Sequence, residues 1–106
     1  MKQFQAIYRI LKALSRAMGS ETSPAAQIAP EVVGLSEAEW EQIMILLQQA
    51  GYINGVQWTQ TMSDYSPRLV HPITPHITLK GLEYVEENAL MKKAANLIRG
   101  VVETIK

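Results

Sequence analysis

Two glutamines, Gln42 and Gln48, and four cations, Arg9, Lys12, Arg16 and Arg68, are the side chains here whose types and spacing suit recognition chemistry. A glutamine amide offers a donor beside an acceptor, which matches the N6 and N7 edge of adenine. Arginine and lysine neutralise backbone phosphates, the main source of affinity for nucleic acid. Arg9, Lys12 and Arg16 recur at steps of three and four, so a helix would hold them on one face. That stripe could grip phosphates outside a groove, stay solvated, or pair with Glu83, Glu86 and Glu87 further along. Exposed pairs of that kind would add little stability. Trp58, Tyr65, Arg68 and His71 could form an aromatic and basic contact patch, unless Trp58 is core and Tyr65 simply loop.

Other chemistries find little support. His71 and His76 are the only histidines, there is no cysteine, and Asp64 is the nearest acid, so no metal site is expected. There is no nucleophile elbow, phosphate-binding loop, dinucleotide fingerprint or zinc-protease helix. The expectation is a protein that is not an enzyme and takes no cofactor. Absence of cysteine excludes a disulfide framework and fits a reducing cytoplasm. The first eighteen residues carry Arg9, Lys12 and Arg16 among their apolar positions, which breaks the uninterrupted centre of a signal peptide, and no run is long enough to span a bilayer.

Positioning these groups is the task of a small scaffold. A chain of 106 residues with 47% apolar and 19% charged residues has the composition of one soluble domain with a single core. Net charge is zero but segregated: residues 1–20 hold four basic groups and no acid, whereas residues 21–67 hold six acids and no lysine or arginine.

The first helix is read from Phe4, Ile7, Tyr8, Leu11, Leu14 and Met18, one apolar face that stops at Gly19. Ser23 as cap and Pro24 at the first helical position open a short second helix, which Pro30 cuts near Ala29. Gly34 makes the turn. Ser36 and Glu39 form a capping box for a third helix, with Leu35 and Trp40 as its hydrophobic staple. Trp40, Ile43, Met44, Leu47 and Ala50 are its expected buried stripe. Ser36, Glu37, Glu41, Gln42, Ile45 and Gln48 are expected on its open side, where the glutamates would complement the helix dipole.

A strand starts at Tyr52 and Ile53 and carries Val56 and Trp58 on one face. A polar loop over residues 59–68 follows. The returning strand, residues 69–78, contains Pro72 and Pro75, so it belongs at an edge. Thr78 caps a last helix potentially reaching residue 105, with Gly81 placed for close backbone approach. Leu82, Val85 and Ala89 suit packing onto the domain. Met91, Ala94, Leu97, Ile98, Val101, Val102 and Ile105 continue the apolar pattern and suit a homodimer seam or partner groove, or a fold back onto Phe4, Ile7 and Leu11.

The fold class is therefore α+β, mainly α: a winged helix-turn-helix with a two- to three-stranded wing and a long C-terminal helix. It is read as one winged-helix domain over residues 1–106, with residues 89–106 a helical extension. The third helix running into Ala50-Gly51-Tyr52-Ile53, and the segment ITLKGLEYVEENA, resemble the YjcQ-like family of small bacterial and prophage winged-helix proteins. The resemblance spans roughly residues 1–90. It implies a winged-helix fold, double-stranded DNA as partner and the role of a transcriptional regulator, and supplies no catalytic residue. The chain departs from a generic DNA-reading pattern at Pro30, in the acidic third helix and in the proline-bearing wing. Weak or conditional DNA binding is the first expectation. The alternative is the same scaffold used as a protein-interaction module, through an acidic face and an apolar C-terminal helix.

Overall fold

The computed structural model describes residues 2–63 and 65–89. Helix α1 spans Lys2–Arg16, α2 spans Pro30–Val33 and α3 spans Glu37–Gln49. Four two-residue strands follow: β1 Ile53–Asn54, β2 Trp58–Thr59, β3 Arg68–Leu69 and β4 His76–Ile77. The described part of the last helix, α4, covers residues 79–89. This is an α+β fold of winged-helix-like order, with helices first and small antiparallel pairs before the final helix.

Helix α1 buries Ala6, Ile10, Leu11 and Leu14. Of the six residues expected on its apolar face, only Leu11 and Leu14 are buried, and Phe4 and Met18 are each 59% exposed. Helix α1 packs against α2 and β4.

The second helix also differs from expectation. Ser23 Oγ does accept from the Ala25 amide at 3.2 Å, and the Gln27 and Ile28 amides donate to the Pro24 carbonyl at 2.9 and 3.3 Å. That is one turn, not a helix. Ala29, ahead of proline, is held extended at φ −60 and ψ 149, so the turn cannot propagate and the helix begins at Pro30. Gly34 ends it in the left-handed region, φ 79.

The capping box of α3 forms as the sequence requires. Ser36 Oγ accepts from the Glu39 amide at 3.2 Å, and the Glu39 carboxylate accepts from the Ser36 amide at 3.3 Å. Lys2 Nζ and Gln3 Nε2 reach the same carboxylate at 3.4 and 3.3 Å. The Ser36 backbone bond above all, then the Lys2 and Ser36 side-chain bonds, hold Glu39 below the ordinary carboxylate value. Because the folded pKa is the lower one, this stabilisation is complete above the unfolded value and disappears as pH falls through the folded value. The melting temperature of Glu39→Gln is therefore expected to lie below wild type at neutral pH and to converge on it in acid. A gap that stays constant across the acid limb would sink this attribution.

The strands form one antiparallel ribbon with a break. Ile53 faces Ile77 and Asn54 faces His76 in one pair; Trp58 faces Leu69 and Thr59 faces Arg68 in the other. Between them the Thr74 amide bonds the Gly55 carbonyl and the Val70 amide bonds the Gln57 carbonyl, at 3.3 and 2.9 Å. Val56 thus stands alone opposite residues 71–73, a bulge that absorbs Pro72, which has no amide to donate. The expected continuous return strand over residues 69–78 is instead two short pieces.

Helix α4 starts where Thr78 Oγ1 accepts from the Gly81 amide at 3.1 Å and donates to the Gly51 carbonyl. A Cβ at Gly81 would collide with the Tyr52 carbonyl oxygen and the Ile77 side chain, so the glycine admits the close approach expected of it. Lys80 Nζ donates to the Ala50 carbonyl at 2.9 Å, closing the C-terminal end of α3. It also lies 5.0 Å from the Tyr52 ring centre, and Tyr52 meets Tyr84 edge to face at 5.4 Å. Burial, and secondarily the nearby Tyr52, push the Tyr84 hydroxyl above its usual pKa. Leu82 and Val85 are half-buried whereas Ala89, expected to pack, is exposed.

Ile28, Trp40, Met44, Ile53 and Val56 join the α1 residues in a single apolar cluster. The Trp40 indole N–H donates to the Ile28 carbonyl at 2.7 Å, so the turn before α2 is tied to α3. Among the described residues no helix is long and apolar enough to cross a membrane.

Candidate nucleic-acid interface

Helix α3 turns its Trp40, Ile43, Met44 and Leu47 side inward, as the periodicity requires, but its open side is narrower than expected. Glu41 and Ile45, both assigned to that open side, are each only 3% exposed. Ala50, assigned to the core, is exposed at the helix end. The cause is the ribbon of β1 to β4 with its loop (the wing, residues 53–77), which packs on α3 through β1 and β3 and covers the flank holding Glu41 and Gln48.

Two polar contacts fix that covering. The Glu41 carboxylate accepts from the Leu69 amide at 2.7 Å and from Arg68 Nε at 3.2 Å to each oxygen. The Gln48 amide spans the Val56 backbone, its Oε1 accepting from the Val56 N–H at 2.6 Å and its Nε2 donating to the Val56 carbonyl. The bulge had removed the strand partner of Val56, and an unpaired buried backbone group is costly, so a glutamine one helix away supplies both halves. Gln48 is therefore committed to the wing, and its amide is not presented for adenine. Arg68, expected to hold phosphate, directs its Nε onto Glu41 while most of the side chain stays at the surface.

The side of α3 left open consists of Ala38, Gln42, Leu46 and Gln49, all exposed. Steps of four and three keep them on one arc about 80° wide at 100° per residue. Of the six residues expected to contact nucleic acid, Gln42 is the one from α3 that stands free of the wing. Ala38, Leu46 and Gln49 were missed. Leu46 is 59% exposed, and the apolar type of Leu46 hid it, just as the charge of Glu41 disguised a buried position. The surviving signal was Ile45, an aliphatic residue on the supposed open flank.

The acids of α3 are thereby largely withdrawn from the open arc. Glu41 is inside, Glu39 is occupied by the cap and by Lys2, and Glu37 remains exposed at the first turn.

Arg9 and Arg16 are exposed and Lys12 is half-buried, with its ammonium 5.5 Å from the Tyr8 ring centre. Together with Ala13 they line a shallow groove whose far wall is Gln27, Val32 and Val33. Among the described residues the ion pairs are Lys2–Glu39 and Arg68–Glu41, so Glu83, Glu86 and Glu87 do not pair with the stripe.

Of the aromatic and basic residues considered as a contact patch, Arg68 and His71 are exposed. Trp58 is half-buried against the core, and Tyr65 is 99% exposed in the wing loop. His71 and His76 are exposed, and among the described residues no cluster of three potential metal ligands occurs. Met91, Ala94, Leu97, Ile98, Val101, Val102 and Ile105, together with Asp64, lie outside the described residues.

Residues 8–104 match the family model described as YjcQ protein. The uncharacterized protein YjcQ of Bacillus subtilis (strain 168) is 32% identical over 74 residues, which is 70% of this chain and 73% of that protein. No solved structure matches the chain at a significant level.

Proposed function

The chain belongs to the YjcQ family, and we propose that it is a double-stranded DNA-binding protein of the regulator type, with α3 entering the major groove. One observation carries the proposal. Two of the three carboxylates that made α3 look hostile to phosphate, Glu41 and Glu39, are buried or paired, Glu37 lies off to one side at the first turn, and the arc facing solvent is Ala38, Gln42, Leu46 and Gln49. Such an arc can approach base edges without desolvating a charge. The same placement takes Glu41 out of the acidic face that the protein-interaction alternative would use, while Glu21, Glu31 and Glu37 stay exposed.

Helix α3 contains no lysine or arginine, so phosphate neutralisation falls to other elements. Arg9, Lys12 and Arg16 supply it, because their groove holds three cations with no acid in ion-pair reach among the described residues. With so few cations, affinity is modest at physiological salt and rises only moderately as salt falls, because the slope scales with the number of phosphates neutralised.

Titration of a duplex of mixed sequence at several salt concentrations tests this. Arg9→Ala, Lys12→Ala, Arg16→Ala in one chain is expected to reduce the slope of log affinity against log salt by about 2–3, near 0.9 for each phosphate no longer neutralised. Unaltered slope and affinity in the triple variant would remove the stripe from the interface. Absence of binding by wild type at the lowest salt would remove DNA altogether.

A further inference from the structure

The composition of the open arc of α3 points beyond DNA binding as such to which base pairs are read. We infer that this surface selects A·T pairs through the major groove, with Gln42 and Gln49 on adenine and Leu46 on the thymine methyl. The inference rests on the DNA-binding proposal above and deepens it.

Each base pair shows the major groove its own pattern. Guanine offers two acceptors, best matched by arginine or lysine; cytosine offers a donor, matched by a free carboxylate. Adenine offers a donor and an acceptor that a carboxamide matches in two bonds, and thymine offers a methyl that an apolar side chain covers. The exposed arc has two carboxamides, one large apolar side chain and one small one. It has no guanidinium or ammonium for guanine.

The two carboxylates that could have served cytosine are engaged elsewhere. Glu41 is buried on Leu69 and Arg68, and Glu39 is held in the cap of α3. Glu37 lies off the arc, at the first residue of the helix.

Gln42 and Gln49 are seven apart, two turns and about 10.5 Å along the axis, which corresponds to roughly three base steps of 3.4 Å. Leu46 stands between them. It is a leucine 59% exposed among glutamines, and Ala38 leaves room for backbone approach one turn earlier. Gln48 takes no part, because both ends of its amide serve Val56.

Four defined duplexes test the assignment: alternating dA·dT, alternating dG·dC, alternating dA·dU and alternating dI·dC. The dA·dU duplex lacks only the thymine methyl. The dI·dC duplex keeps an A·T-like minor groove but shows the major groove a G·C-like pattern. Wild type is expected to prefer dA·dT over dG·dC by at least about fivefold, the low end for a single bidentate pair. It should lose about fourfold per covered methyl on dA·dU and treat dI·dC like dG·dC.

Leu46→Ala should abolish the difference between dA·dT and dA·dU while still preferring them to dG·dC. Gln42→Ala should weaken dA·dT about tenfold and leave dG·dC unchanged. Both residues are exposed, and circular dichroism with thermal melting confirms that the variants fold. Equal binding to all four duplexes would overturn the inference and leave DNA binding standing. Binding dI·dC as tightly as dA·dT would also overturn it, by moving the readout to the minor groove. Failure to bind any of the four would overturn both this inference and the proposal beneath it.

Discussion

Replacing Glu41 by alanine is expected to destabilise the fold by about 3 kcal/mol and to lower the melting temperature by more than about 10 °C. The carboxylate is 4% exposed, whereas its partner Arg68 is 63% exposed, and the pair is asymmetric for that reason. Removing Glu41 leaves the Leu69 amide, which it bonds at 2.7 Å, buried without an acceptor, a loss of about 1–3 kcal/mol. It also empties the space beneath the wing, and a residual cavity adds to the cost. The guanidinium, already near water, rehydrates cheaply.

Arg68→Ala fails differently. It leaves a buried carboxylate facing one N–H, and breaking a buried pair from one side costs about 3–5 kcal/mol when both partners are enclosed. Here the cost is smaller, about 2 kcal/mol, because the arginine side is open to solvent. The decisive measurement is the cycle between the two. Arg68→Ala should cost markedly less in the Glu41→Ala background than in wild type. Additive effects in chemical denaturation would mean that the two side chains do not hold the wing together.

Gly55→Ala is expected to be of similar severity, at about 3 kcal/mol. Gly55 has φ 88, a left-handed conformation that costs an L-residue about 1–2 kcal/mol. An added Cβ would in addition overlap the Thr74 carbonyl oxygen, which is backbone on the opposite strand and cannot swing aside. The strands must separate, which sacrifices the Thr74 to Gly55 hydrogen bond at 3.3 Å and the bulge that orients Val56 toward Gln48.

Gly34 provides the control. Its φ is 79, nearly the same, but nothing lies within 4 Å of its would-be Cβ. Gly34→Ala should therefore show only the conformational part, about 1–2 kcal/mol, and the difference between the two variants isolates the collision. Equal losses in urea unfolding would show that strand contact contributes nothing at Gly55.

Local signals were legible wherever a short stretch of chain decides its own conformation. The Ser36–Glu39 box, the left-handed turn at Gly34, Thr78 as cap and Gly81 as a point of close approach all formed as expected. The first three depend on residues within a few positions of one another or on a conformation that glycine adopts readily, and Gly81 was legible because only a residue without a side chain admits a close backbone approach. The short second helix was misplaced by several residues because two signals competed there. Ser23-Pro24 nucleates a turn, but the constraint on Ala29 ahead of Pro30 prevents it from growing.

What the sequence by itself determined, then, was the order of elements, the caps and the inward side of α3 marked by Trp40 and Leu47. What only the tertiary structure decided was which of the remaining residues of that helix meet water. Periodicity locates the centre of a buried arc but not its width, since the width depends on how far a later segment wraps the helix. The wing, closed by Gln48 on Val56 and by Glu41 on Leu69, lies eight and twenty-eight residues away from those partners. Its position depends on strand pairing and on the burial of one carboxylate. Neither is encoded in a local pattern, and together they take Glu41 out of the open arc of the helix and leave that arc to glutamine, leucine and alanine.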